Sequence, residues 1–243
     1  TLSFEASYSN KNHTQLLISR ITLLEQNDRL EEAQALIKDN LHNPDLLLFA
    51  LNQSKKKNNV VRMKYLADIG LNANFSNAIH RQIADIRLAI ATEEADTPLQ
   101  TTLARQLLLQ TFDVDYFHTF KTAHSGDWTK AFTNLVEDAE KLPFSVGRRD
   151  FVATLYQEEG KHGELMNYIR RLKSLDMLEK FDQFLLNYFR SEVFELYRTL
   201  IEDYITHHLG RVASKRVKQK LHHLHKIGGA ALAEELVKKM RTE

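Results

Sequence analysis

The segment from Tyr204 to Ala233 contains no Asp or Glu and is rich in basic and imidazole side chains. Its cationic residues are Arg211, Lys215, Arg216, Lys218, Lys220 and Lys226. Its imidazoles are His207, His208, His222, His223 and His225. The segment carries +6 before any His is protonated, in a chain of formal net charge +1, so the rest of the chain carries −5. Positive charge is therefore concentrated in this one stretch.

Several interpretations of the basic segment remain open. Cationic side chains on one side of a helix can follow phosphates, and each contact adds salt-dependent affinity, so residues 204–226 form a candidate nucleic-acid interface. The same cations suit an acidic protein partner. The residues that would form either patch are Arg211, Lys215, Arg216, Lys218 and Lys220.

A structural interpretation of the segment stands beside these two. The cations would then form a solvated face, or pair with the carboxylates of another repeat, for which Glu137, Asp138 and Glu140 offer a suitable set. The apolar positions of the same segment, at helical spacing, predict that one side of this helix packs in every case. Those positions are Val217, Leu221 and Leu224.

The imidazoles also raise the question of a metal site in residues 207–225. His222 and His225 are three residues apart, and His207 or His208 would complete a set of ligands, but no carboxylate of the segment would orient them. Glu159-x-x-His162 spans a glycine, whereas a di-iron bundle needs two such units within helices. We predict no cofactor and leave a metal at the His-rich segment open. Exposed imidazoles would in any case gain charge as pH falls.

Other signatures of catalysis or of membrane insertion are missing from the sequence. It contains no GxxxxGK[ST], GxGxxG, HExxH or GxSxG motif and no EF-hand loop. The lack of Cys excludes thiolate zinc sites and cysteine nucleophiles, and favours a reducing cytoplasm. No apolar run approaches the roughly 18–20 residues of a membrane span. We predict a cytoplasmic protein that is not an enzyme and has no membrane partner.

Helices are the elements that would position these side chains. The 8 Gly and 3 Pro are too few for the turns of a β-sandwich or an α/β fold. Asp28 with Glu31 predicts a capping box at a helix start. Asn43-Pro44 and Thr97-Pro98 each predict an N-cap residue followed by Pro in the first helical turn.

A spacing of 34 residues predicts repeats. Gly126 and Gly160 are 34 residues apart and Gly228 lies 68 residues further on, which places a predicted break at Phe194, where Ser191 would cap a new helix. The tetratricopeptide unit has this length. Apolar pairs that keep the offset are Phe117 with Phe151, Ala131 with Leu165 and Leu135 with Ile169.

We therefore predict an all-α fold of antiparallel helical hairpins stacked as a tetratricopeptide-like α-solenoid, in a single array over residues 1–243. A plain helical bundle is the alternative. Stacked hairpins offer an extended surface to a protein or peptide partner, so a non-catalytic interaction scaffold is the leading functional prediction. Exposed residues on the first helices, in a groove including Tyr156, Asn167 or Arg170, would bind the partner, and Trp128 would fill the groove between hairpins.

Three stretches of the last third resemble a known family: YRTLIEDYI (197–205), HHLGR (207–211) and LHHLHKIGG (221–229). They are similar to the helical C-terminal region of bacterial SWIM zinc-finger proteins, over about residues 110–243. The resemblance implies association with nucleic acid or protein, the finger being the nucleic-acid reader. The finger's Cys ligands are absent here, so the chain would be the downstream region, and with no initiator Met we expect a fragment of a longer protein. No functional residue carries over by position.

Overall fold

A computed structural model of the chain describes the backbone of residues 2–242 and the side chains of residues 12–240. Within these limits the chain forms fourteen α-helices and no strand. In order they are α1 (Leu2–Gln26), α2 (Leu30–Asp39), α3 (Pro44–Lys56), α4 (Val60–Asn72), α5 (Asn77–Glu93), α6 (Thr97–Thr111), α7 (Val114–Ala123), α8 (Trp128–Lys141), α9 (Val146–Glu158), α10 (His162–Leu172), α11 (Leu175–Leu186), α12 (Arg190–His207), α13 (Arg211–Lys226) and α14 (Ala230–Thr242). The predicted all-α fold is confirmed.

Helices consecutive in the sequence pack against one another as hairpins, each with a short turn. Within residues 2–242, five of these turns share one backbone conformation, with a single left-handed residue after the first helix. Those residues are Asp28, Asn58, Ala95, Gly160 and Gly228. In each turn the next N–H donates to the carbonyl five residues earlier, for example Lys161 to Tyr156 at 2.8 Å, which is the Schellman motif.

The five turns lie between the first and second helix of a hairpin and so mark the repeat. Asp28 and Gly228 are six hairpins apart, a mean step of about 33 residues. Gly126 and Gly160 also lie between the two helices of a hairpin, as the sequence predicts. Hairpin-by-hairpin stacking of a helical-repeat fold is thus what the described residues show.

The predicted break at Phe194 is wrong. Phe194 lies inside α12, and the chain turns earlier, at Asn187–Phe189. Ser191 is also within α12, where its hydroxyl bonds Glu192 instead of capping a helix. The 18-residue length of α12 makes this hairpin longer than its neighbours, so an even division of the 68 residues between glycines misplaces the turn.

Two predicted caps are also corrected. Asp28 takes the left-handed conformation that ends α1, and Arg29 at the N-cap of α2 makes no side-chain capping bond. The cap of α6 is Asp96, one residue before Thr97, because its carboxylate accepts the Leu99 N–H at 3.2 Å. The third cap is confirmed, since Asn43 accepts the N–H groups of two residues in the first turn of α3.

The chain divides into two compact units, Thr1–Leu135 and Val136–Glu243. The first has a core cluster of aliphatic side chains from its first five helices, among them Ile21, Ile37, Leu47, Leu66 and Ile83. The second buries one or more apolar residues from each helix from α9 to α14, including Leu155, Ile169, Leu185 and Leu224. A single continuous array over both units stays a prediction. None of the helices in the described part of the chain has both the length and the apolar character that a membrane span requires.

Candidate functional site

The basic segment comprises the end of α12, all of α13 and the start of α14. Gly210, at φ 96°, permits the sharp entry into α13, since left-handed backbone favours glycine. Val217 and Leu224 are buried and Leu221 is half-buried, which confirms the predicted apolar stripe. The cations and imidazoles of α13 then fall on two further sides of the helix.

One side of α13, which we call the inner row, consists of Arg216, Lys220 and His223. These residues are spaced four and three apart, so they lie above one another on the helix. Each contacts a carboxylate of α11 in the same compact unit. The carboxylates of α11 are Asp176, Glu179 and Asp182, spaced three residues apart.

The contacts between the inner row and the three carboxylates of α11 form a ladder that joins α11 and α13. Lys220 lies at the centre of this ladder. Its ammonium donates to Asp176 at 2.6 Å and also to Glu179. Arg216 donates to the second oxygen of Asp176 at 2.7 Å. Lys220 is only 8% exposed, so these bonds compensate the desolvation of its charge.

The protonation states agree with this geometry. The hydrogen bond from Lys220 holds the pKa of Asp176 below its usual range. Burial of Lys220 acts to lower its pKa, but the bonds to Asp176 and Glu179 outweigh burial and raise it. Lys220 and Asp176 are therefore both charged at neutral pH, and the charge of Lys220 is compensated within the fold.

The third step of the ladder is buried. Asp182 is 1% exposed, its Oδ2 accepts a 2.6 Å hydrogen bond from the Tyr197 hydroxyl of α12, and His223 Nε2 lies 2.6 Å from the same oxygen. Burial, and then the bond to Asp182, raises the pKa of Tyr197, which stays protonated as a donor. Sequence reasoning missed Asp182, although a lone carboxylate among Leu178, Phe181 and Leu185 was a usable signal of a buried polar partner.

The opposite side of α13, which we call the outer row, is exposed to solvent. It consists of Arg211, Lys215, Lys218, His222 and His225. Because an α-helix turns about 100° per residue, Lys218 lies roughly 200° from Arg216, on the far side of the helix. Among the side chains of residues 12–240, no carboxylate forms an ion pair with Arg211, Lys215 or Lys218.

An open groove of about 710 Å³ runs between α13 and α14 beside the outer row. Lys218, His222 and His225 line it from α13, together with the apolar side chain of Leu221. The α14 side contributes Ala233, Glu234, Val237 and Lys238. The groove thus combines an apolar floor with a largely basic rim.

The structure separates the five residues predicted as one patch. Arg211, Lys215 and Lys218 are in the outer row, whereas Arg216 and Lys220 are held by α11. Pairing of these cations with carboxylates of another repeat is therefore observed, but the carboxylates belong to α11. The acidic set expected from the sequence has other contacts, since Glu140 pairs with Arg171 and Asp138 with Lys141.

Two of the imidazoles in the basic segment bond to the backbone of α12. Nδ1 of His207 and Nδ1 of His208 each donate to a backbone carbonyl at the end of α12, those of Asp203 and Tyr204. Among the described side chains, no group of three His, Asp or Glu residues is arranged to hold a metal ion. The open question of a metal at residues 207–225 thus gains no support from the geometry.

The three residues expected to line one groove lie on two helices and differ in exposure. Tyr156 is a half-buried residue of α9 whose ring lies 5.9 Å from that of Tyr168, and burial raises its pKa. Asn167 and Arg170 are exposed, but they lie on α10, the second helix of that hairpin.

Trp128 packs among aromatic side chains of α7 and α8. Its ring lies 5.8 Å from Phe117 and 5.5 Å from Phe120 on α7, and 6.2 Å from Phe132 on α8. These neighbours belong to its own hairpin, so the ring contributes to closing that hairpin. A role for Trp128 in the groove between hairpins stays a prediction.

Comparison with known proteins returned no match to any family model, to any curated protein or to any solved structure. The resemblance to the SWIM-associated helical region, and the tetratricopeptide-like assignment at the level of family, stay predictions.

Proposed function

We propose that the chain is a non-catalytic, cytoplasmic scaffold of helical hairpins that binds an acidic protein partner through the outer row of α13. The contrast between the two sides of one helix carries this proposal. The inner row is matched to carboxylates of α11, while Arg211, Lys215 and Lys218 are exposed to solvent. Lys218 also lines the groove with the apolar floor. Positive charge steers an acidic partner, and the apolar floor gives it area to bury.

Nucleic-acid binding is the second candidate function. Arg211, Lys215 and Lys218 are spaced four and three apart on one exposed face, a row that can follow phosphates. It ranks second because the groove next to Lys218 has an apolar floor, which a protein partner can bury and a phosphate backbone cannot.

The test is an affinity pull-down from native lysate, with and without nuclease, using wild type and the charge reversal R211E/K215E/K218E. Arg216 is left intact because its bond to Asp176 joins α11 and α13. The matched control is K55E/K56E/K130E, which reverses three exposed lysines in the other compact unit. We expect proteins retained after nuclease by wild type and by the control, and lost by the outer-row reversal.

The remaining outcomes are distinct. Retention that requires nucleic acid and fails in the reversal would establish the second candidate instead. Proteins held equally by all three forms would leave a scaffold whose interface lies outside α13. No specific retention by wild type in either condition would overturn both candidates.

A further inference from the structure

The outer row of α13 repeats the pattern of its inner row. Arg216, Lys220 and His223 are spaced four and three residues apart. Lys218, His222 and His225 have the same spacing, displaced by two residues. Two residues correspond to about 200° around an α-helix, so the helix presents two rows of similar composition on opposite sides.

The chain itself shows what binds such a row. Against the inner row, α11 presents Asp176, Glu179 and Asp182 at three-residue intervals, and all three make contacts of 2.7 Å or less. The element that recognises the row is thus a helix with carboxylates on one face. The apolar residues of α11, such as Leu178 and Leu185, are buried on its adjoining face.

The groove beside the outer row could accommodate a helix of the same kind. Leu221 and Val237 are half-buried and Ala233 is buried, so the floor between α13 and α14 is apolar but still open. Lys218, His222 and His225 stand along one rim of this groove. An amphipathic helix lying in it would place apolar side chains on the floor and carboxylates against the rim.

We infer that the α13–α14 groove binds an amphipathic helix of a partner protein, with carboxylates at three-residue intervals facing Lys218, His222 and His225. This inference rests on the proposed function and specifies the partner's chemistry. A second copy of the chain is a poorer occupant, because Asp176 and Glu179 of its α11 are already engaged by its own Lys220. Nucleic acid is also poorer, because the floor of the groove is apolar, which suits the apolar face of a helix and offers a phosphate backbone no partner.

The test uses a synthetic peptide with the sequence of residues 174–187, which has the required carboxylate spacing, held helical by a hydrocarbon staple and labelled with fluorescein. Its partner peptide replaces Asp176 by Asn, Glu179 by Gln and Asp182 by Asn. Fluorescence anisotropy measures binding of both peptides to the full chain. We expect the acidic peptide to bind at least about tenfold more tightly than the amide peptide, and its affinity to fall as salt is raised.

The location is tested with K218A/H222A/H225A and with the matched variant K55A/K56A/K130A. The outer-row variant should lose about tenfold in affinity for the acidic peptide, and the matched variant less than about twofold. The version K218Q/H222Q/H225Q keeps side-chain length, and a thermal melt of each variant confirms that the fold is intact. Equal binding to wild type and to both outer-row variants would show that the peptide binds elsewhere on the chain, and would overturn the inference.

Equal affinity for the acidic and amide peptides would also overturn the inference. So would displacement of the acidic peptide by a single-stranded oligonucleotide of about 20 nucleotides that binds more tightly. The proposed function is judged separately by the pull-down. If the peptide fails and nuclease-resistant partners still depend on Arg211, Lys215 and Lys218, the scaffold stands and only the chemistry of its partner is wrong.

Discussion

Lys180 on α11 donates a 2.9 Å hydrogen bond to Asp150 on α9, 30 residues earlier in the chain. The pair joins the first helices of two successive hairpins. Similar pairs link equivalent helices elsewhere: Lys57 with Glu25, Arg198 with Glu235 and Lys239 with Glu202. Separations of about one repeat therefore recur in the contacts, although the sequence shows no strict 34-residue identity.

Lys218 and Lys220 of α13 should differ in their response to the same substitution. Lys220→Met leaves two carboxylates of α11 without their shared ammonium, and we expect a loss of about 1–2 kcal/mol in the free energy of unfolding. Lys218→Met removes an exposed cation and should change stability by less than about 0.5 kcal/mol. Urea titration followed by circular dichroism measures both.

The same pair of variants separates structure from binding. Lys218→Met, but not Lys220→Met, should weaken binding of the acidic helical peptide at a temperature where both variants are folded. If Lys220→Met were as stable as wild type, the ladder between α11 and α13 would not contribute to the fold as argued.

Much of the fold follows from local sequence signals. Asn43-Pro44, Gly160 and Gly228 mark helix ends by mechanisms that need no tertiary contact, so their positions are predictable. The turn at Asn187–Phe189 has no glycine or capping side chain. Its position was therefore predicted from the 34-residue spacing alone, and that prediction was wrong.

The site was less predictable than the fold for a physical reason. The sequence shows that cations cluster in residues 204–226, but not which of them meet carboxylates 40 residues away in α11. The pairing depends on how α11 and α13 are placed by α12, the helix between them. Helical spacing alone assigns Arg216 and Lys218 to opposite sides, and only the contacts show which side is occupied.

Acid should destabilise the second unit through the carboxylates that bridge its hairpins. Burial acts to raise the pKa of Asp150, but hydrogen bonds from Lys180 and Arg149 outweigh it, and the pKa lies below its usual range, as that of Asp176 does. A depressed pKa means that the folded state binds fewer protons than the unfolded state, so stability is present at neutral pH and falls as pH drops below about 5.

Thermal melts at several pH values between about 7 and 3 measure this effect. The double variant D150N/D176N should be less stable than wild type at neutral pH and should show a shallower decline in acid. An unchanged slope would mean that other carboxylates dominate the acid response.

Two helical glycines should respond oppositely to Ala. At Gly70 in α4, an added Cβ would lie 2.5 Å from Leu47 Cδ2 and 2.6 Å from Ile83 Cδ1, so Gly70→Ala should destabilise the first unit by about 2 kcal/mol. At Gly163 in α10 nothing lies within 4 Å, and Gly163→Ala should stabilise by about 0.5 kcal/mol through helix propensity. Chemical denaturation of both variants checks the signs, and a neutral Gly70→Ala would contradict close packing of α4 on α3 and α5.

The shared hairpin turn predicts a pair of reciprocal substitutions. Gly160 and Ala95 occupy the same left-handed position, at φ 66° and 54°. Gly160→Ala should cost about 1 kcal/mol, because a Cβ disfavours this conformation even though the nearest atom, His162 Cε1, is 3.9 Å away. Ala95→Gly should stabilise by about 0.5 kcal/mol, since relief of that strain exceeds the added freedom of the unfolded chain. Urea midpoints that move in opposite directions would support one turn geometry in both hairpins, and a destabilised Ala95→Gly would contradict it.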